Sequence, residues 1–363
     1  DVAVRPAPFD RAFVADFVHS DTADYGVDHY YREVSEGRTR VTGDVDDVHG
    51  WYTLAGATAD YCSRVMDNGH GEILGYACDL ASMHADAIAA WGRDPRTAGT
   101  DVFVMVYDGY GTVGVESGLS GTDLAAVTVP ATNDVVNARN TRVVVHEIGH
   151  FLGLRHAAGW RCDASTVVHD GYVVSEHDVS PSPEELTGAL DPYGCSLLTY
   201  GDEYDPMGGG GTFHHGMFHK WRLGWASADH VVTAGRSGEY VLDAMETAST
   251  GITLLHVPID HGYTRGQYYV VEYRTRTGLD GDDTDPTHPA IDGVLVRRVR
   301  VNVSGPGTAI PDRDVSGASN HVYVPGVDFV DPYRGIRLTV LSTDGAQARV
   351  RLDYETRFPR EDP

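Results

Sequence analysis

The residues best placed to do chemistry lie in one run, HEIGHFLGLRH, from His146 to His156. His146 and His150 stand four apart, so on a helix they project from one face about one turn from each other. Two imidazoles at that spacing can share one zinc ion. Glu147 sits beside the first donor and can reach a water without occupying a coordination position. Gly153 lets the chain leave the helix in a conformation other residues resist, and His156 can then swing back as a third donor. Three neutral nitrogens leave a fourth position open for water, which a catalytic site needs and a structural site lacks. The chemistry expected is hydrolysis, with zinc lowering the pKa of its water toward about 7 and Glu147 handling the proton.

HExxHxxGxxH is the zinc signature of the metzincin peptidases, and His146 to His156 resembles it at each fixed position. Metzincins also carry a downstream turn with a methionine beneath the zinc ligands. YDPMG resembles that turn, with Met207 as its packing residue rather than a ligand. The run GDEYDPMGGGG, followed by HHGMFHKWRLGW, is similar to the region after the zinc helix in gametolysin-like peptidases and, second to them, immune-inhibitor-A-like peptidases. YYVVEYRTRTGLD from Tyr268, GVLVRRV from Gly293 and YREVSEGRTRVTG near the start extend the resemblance over most of the chain.

The resemblance implies a zinc endopeptidase with one catalytic ion, acting on protein or peptide substrates. Extended substrates would add as a strand beside the active-site helix, with Leu124 to Val129 as the expected edge. Two departures stand out. Astacins and serralysins place a tyrosine two residues after the methionine, where it helps stabilise the oxyanion, but this chain has Gly209 there. Tyr200 and Tyr204 are the nearby candidates for that role, with packing as the plainer reading. Ala157 follows His156 where astacins have glutamate, which argues against that branch. Two rival functions use the same residues: a glycopeptidase of mucin type, and a glycan- or matrix-binding module with a vestigial zinc site.

Other clusters read more blandly. His214, His215 and His219 suit helix packing and hydrogen bonding, with a second metal as the lesser alternative. His84 lies in a helix with no partner at ligand spacing. Calcium could be held by Asp280, Asp282, Asp283 and Asp285 in GLDGDDTDPTH, although the segment lacks the EF-hand glycine and terminal glutamate and reads first as an acidic loop.

The elements that must position these residues belong to a chain of 363 residues, long enough for two cores. Hydrophobic residues make up 41%, and no apolar run approaches the roughly 20 residues that span a bilayer. The formal net charge of -25 repels nucleic acid and anionic membranes. A secreted, monomeric protein is expected. The opening residues DVAVRPAPFD lack a basic segment followed by an apolar core, so they are not an intact signal peptide. The four cysteines lack zinc-ribbon spacing and suit two disulfides; near-neighbour pairing gives Cys62–Cys78 and Cys162–Cys195, with three connectivities open.

Along the chain, strands are expected at Arg38 to Val45, Trp51 to Leu54, Asp101 to Asp108 and Leu124 to Pro130, with a Gly-rich loop from Gly109 to Gly121. Helices are expected from Asp79 to Trp91, stopped by Gly92, and from Asn140 or Thr141 to Gly153. After residue 227 short β-prone runs follow one another. The fold expected is an α+β metzincin-like catalytic domain over residues 1–227, with a mixed sheet and an active-site helix. An all-β domain of sandwich type follows over 228–363.

Overall fold

The computed structural model describes residues 10–22, 26–66, 73–95, 102–107, 114–117, 125–130, 138–162, 195–198, 200–209, 211–259, 268–281, 291–302, 305–310, 321–331 and 335–354. They form a mixed α/β protein with several sheets and few helices. The chain divides into two compact units, one of residues 1–32 with 39–153, the other of 33–38 with 154–363.

In the first unit, helix α1 (Arg11–His19) starts where the Asp10 carboxylate accepts the Phe13 N–H at 2.8 Å. Helix α2 (Val27–Val34) follows because Val27, Tyr30, Tyr31 and Val34 recur at i, i+3, i+4 and i+7, and all four are fully buried. After the short helix α3 (Thr58–Tyr61), strands β1 (Cys62–Met66) and β2 (Ile73–Cys78) pair antiparallel. Their facing ends are joined by the Cys62–Cys78 disulfide. Helix α4 (Leu80–Trp91) is capped by Asp79, which accepts the Ser82 N–H at 3.1 Å, and stops at Gly92 with φ 75°. Strands β3 (Val102–Tyr107), β4 (Gly114–Ser117) and β5 (Ala125–Pro130) make a mixed sheet in the order β3-β5-β4. β5 runs parallel to β3 and antiparallel to β4. Helix α5 (Ala138–Phe151) packs against β4 and β5.

The second unit begins with β6 (Ala157–Cys162) and β7 (Cys195–Leu198), whose register sets Cys162 opposite Cys195. That register leaves the second expected cysteine pairing open to the backbone. Helix α6 (Met217–Arg222) comes next. Then follow β8 (Val231–Thr233), β9 (Gly238–Asp243), β10 (Leu254–Pro258), β11 (Tyr268–Arg274), β12 (Gly293–Asn302), β13 (Gly305–Ile310), β14 (Asp328–Asp331), β15 (Ile336–Thr343) and β16 (Gln347–Tyr354). Seven strands form one sheet in the order β7-β6-β13-β12-β11-β10-β8, and four form another, β14-β15-β16-β9. β6 and β7 precede residue 227 and share their sheet with strands that follow it. One apolar cluster draws on both sheets, with Leu255, Tyr269, Val271 and Val296 from the seven-stranded and Phe329, Leu338, Val350 and Leu352 from the four-stranded. On β16 the buried and exposed positions alternate, as a strand with one apolar face requires.

Several expectations change. Residues 38–45 and 51–54 are not strands; they run as irregular backbone with one 3-10 turn at Val45–Asp47. Alternation in sequence makes a strand only where a neighbour completes the ladder, and among the described residues these segments have none. Part of the Gly-rich loop is strand β4. Helix α5 runs from Ala138, so Asn140 and Thr141 lie inside it rather than capping it. His321 to Val324 contributes only an isolated bridge, Val294 to Tyr323. β5 is bonded on both sides and offers no free edge; among the described residues β4 is the antiparallel edge strand of that sheet.

Candidate metal centre

Helix α5 turns Val144, Val145 and Ile148 into the interior, and this apolar face fixes where its polar residues point. Tyr31 adds a tether, donating its hydroxyl to the Val145 carbonyl at 2.9 Å, one residue before His146. His146 is 8% exposed, His150 is half-buried, and their rings meet edge to face with centroids 4.8 Å apart. The helix ends as its sequence dictates. Gly153 takes φ 90°, a left-handed conformation that costs other residues about 1–2 kcal/mol, and its N–H bonds the His150 carbonyl at 2.9 Å. Three residues on, His156 returns: one donor atom from each of His146, His150 and His156 lies within 4.8 Å of the others. Three imidazoles this close suit a tetrahedral zinc ion with one position left over. The donor set therefore fits the metal that the spacing implied.

Glu147, between these donors in sequence, is 7% exposed. Burial pushes its carboxyl up to about 7, because a charge in an apolar setting is poorly solvated.

The turn carrying Met207 is tied to the segment that carries His156. Met207 is fully buried and packs with Leu154 and Ala157. Its carbonyl accepts the Ala157 N–H at 2.9 Å, and the Ala157 carbonyl accepts the Asp202 N–H at 3.2 Å. Two aspartates shape the turn by bonding nearby backbone, Asp202 to the Tyr204 N–H at 2.9 Å and Asp205 to the Met207 N–H at 2.8 Å. Gly209 has a reason to lack a side chain: a β-carbon there would stand 2.7 Å from the Tyr200 carbonyl oxygen.

The two candidate tyrosines differ. Tyr200 is 52% exposed, and its ring lies against His156 with centroids 4.3 Å apart. Tyr204 is fully buried among Phe213, Ile291, Leu295 and Val322. Burial raises its hydroxyl pKa, and its oxygen also meets the His321 backbone. Asp280, the described member of the acidic loop, is 4% exposed, pairs with Arg274 at 2.6 Å and accepts the His214 N–H at 2.8 Å. Asp282, Asp283 and Asp285 lie outside the described residues. His84 is buried in α4.

The histidines near α6 part company. His214 bonds Glu33 through Nε2 at 3.1 Å and meets the buried Lys220 through Nδ1 at 3.1 Å. His215 and His219 instead converge on Asp205, and this is a second group with donor atoms within 4.8 Å of one another. Sequence reasoning missed Asp205 because no fixed spacing links it to the two histidines. Its one signal was a carboxylate next to the candidate Met207 turn. Beside the group, Arg297 holds two buried carboxylates, Asp202 and Glu272, each at 2.5 Å. Comparison with models of known protein families, with curated proteins and with solved structures finds no match to this chain.

Proposed function

We propose that the chain is a secreted zinc-dependent endopeptidase of metzincin type that cleaves extended segments of extracellular proteins. In this reading α5 and the β3-β5-β4 sheet are the core of a metzincin-like catalytic region, and the later strands form an accessory β region of sandwich type. The observation that carries it is the convergence of His146, His150 and His156 with Glu147 beside them. Bound zinc supplies the positive charge that polarises a carbonyl and makes water acidic near neutral pH. The chain supplies the rest. Glu147 takes a proton from the attacking water at a carboxylate oxygen and delivers it to the leaving amine. Tyr200, exposed and with its ring against His156, is the candidate to stabilise the oxyanion, whereas Tyr204 packs the interior. The edge strand β4 can accept an extended peptide by strand addition. The Cys62–Cys78 disulfide fits an oxidising compartment, and among the described residues no helix is long and apolar enough to cross a membrane.

The test is Glu147→Gln, with hydrolysis of a mixed peptide library and zinc content measured together. Hydrolysis should fall about 10²–10⁴-fold with zinc retained, because Glu147 moves protons and binds no metal. Undiminished cleavage by the variant would sink the mechanism.

A further inference from the structure

We propose that Asp205, His215 and His219 form a second metal centre, a buried one that takes a zinc-class divalent cation. It does not rest on the peptidase reading. His215 and His219 stand four apart across the start of α6, and Asp205 lies in the turn before Met207. None of the three is more than 1% exposed.

The geometry around the carboxylate suits a ligand. Asp205 Oδ1 accepts the Met207 N–H at 2.8 Å and Oδ2 accepts the Gly216 N–H at 2.7 Å, so the backbone fixes its orientation as outer-shell partners do for metal-bound carboxylates. The remaining sides of the two oxygens face imidazoles, with His215 Nδ1 at 3.4 Å from Oδ1 and His219 Nδ1 at 2.9 Å from Oδ2. A charge-assisted hydrogen bond is about 2.7–2.9 Å long, so the contact to His215 is too long for one. Two bonds of about 2.0–2.2 Å meeting at a tetrahedral angle place their ligand atoms about 3.4 Å apart. One carboxylate oxygen with the two nitrogens makes a three-donor set sealed from solvent.

Charge points the same way. Among the described residues Asp205 forms ion pairs with the two imidazoles and with no Lys or Arg. The neighbouring Arg297 lies within electrostatic reach of Asp205 but is shared by Asp202 and Glu272, and Arg274 is paired with Asp280. A carboxylate this deeply buried needs a positive charge of its own. A divalent ion held through the two Nδ1 atoms would supply that charge with both rings neutral, each keeping its proton on Nε2. The ion would clasp the Met207 turn to α6.

The deciding measurement is metal content by mass spectrometry in an untagged His146→Ala/His150→Ala chain, which lacks the first donor set. That variant, melting cooperatively, should keep one equivalent of zinc and, refolded with cobalt, show visible absorption from a nitrogen-oxygen site. Adding His219→Ala should abolish both signals. A cooperatively melting double variant that holds neither zinc nor cobalt overturns the second centre and leaves Asp205 held by hydrogen bonds alone. The two proposals fail separately. Metal kept by the double variant, from a parent that cleaves no peptide, supports this centre and counts against the peptidase. A cleaving parent whose double variant loses all metal does the reverse.

Discussion

The two histidine groups differ most in their surroundings. The first sits on a helix whose inner face is aliphatic, and two of its three rings remain half-buried. The second is sealed to 1% exposure or less and adjoins a buried ion network in which one guanidinium serves two carboxylates. Donors that must exchange water and substrate keep part of their surface open, whereas sealed donors can only hold structure together. Chemistry and stability should therefore separate between the two regions.

That separation is put under most strain at Arg297. Arg297→Met leaves Asp202 buried without its cation and Glu272 with only the more distant Arg274, at 3.7 Å, a loss expected to cost about 3–5 kcal/mol and to be read from urea unfolding. Unfolding at the parent midpoint would mean that the network contributes nothing.

The tyrosines sharpen the contrast at smaller scale. Tyr204→Phe removes a buried acceptor from the His321 backbone, with an expected cost of about 1–3 kcal/mol. Tyr200→Phe, at an exposed position, should change stability by no more than about 0.5 kcal/mol. Its hydrolysis should nonetheless fall on the order of 100-fold. Equal stability losses from the two changes would erase the distinction.

Gly153→Ala should cost about 1–2 kcal/mol, the strain of a left-handed non-glycine residue. Because His156 follows three residues later, zinc affinity by competition with a chelator should weaken as well.

A last contrast is a slope with pH. Burial, with Asp280 close by, raises the Glu246 carboxyl to about 9. In the unfolded chain a glutamate ionises near about 4.3, so the folded state keeps a proton the unfolded state loses. The contribution of this group is thus full below about 4.3 and drains away as pH climbs toward 9. Glu246→Gln keeps an acceptor for the Thr275 N–H and has no proton to lose. The melting temperature of the variant relative to the parent should rise between about pH 5 and pH 9. A flat difference would show that Glu246 is already ionised in the folded protein.

The parts legible in sequence were those governed by local rules. Asp79 and Gly92 mark the ends of α4, the spacing of His146, Glu147, His150 and His156 foretells a common face and its return, and the apolar run at Val102–Tyr107 is a strand. Helix α2 is a mixed case: tyrosines and valine in VDHYYREV suggest β structure by type, while their positions give the helical period. What was not legible depends on distant neighbours. Strand β13, GPGTAI, has the composition of a turn and exists because β12 and β6 pair with its backbone. Asp205 joins its histidines only once the Met207 turn meets α6. Arg274 and Arg297 sit on strands where charge argues for solvent, yet both are buried because carboxylates from other elements surround them.

The strand that begins right after His156 bears on how such a protein would wear out. Ala157 opens β6, and β6 is bonded on both sides, to β7 and to β13, within the seven-stranded sheet. The third imidazole is thus moored to a large cooperative assembly rather than to a loop free to fray on its own. Loss of function on heating should track collapse of that sheet in a single step, so that residual activity after heat stress counts the molecules still folded.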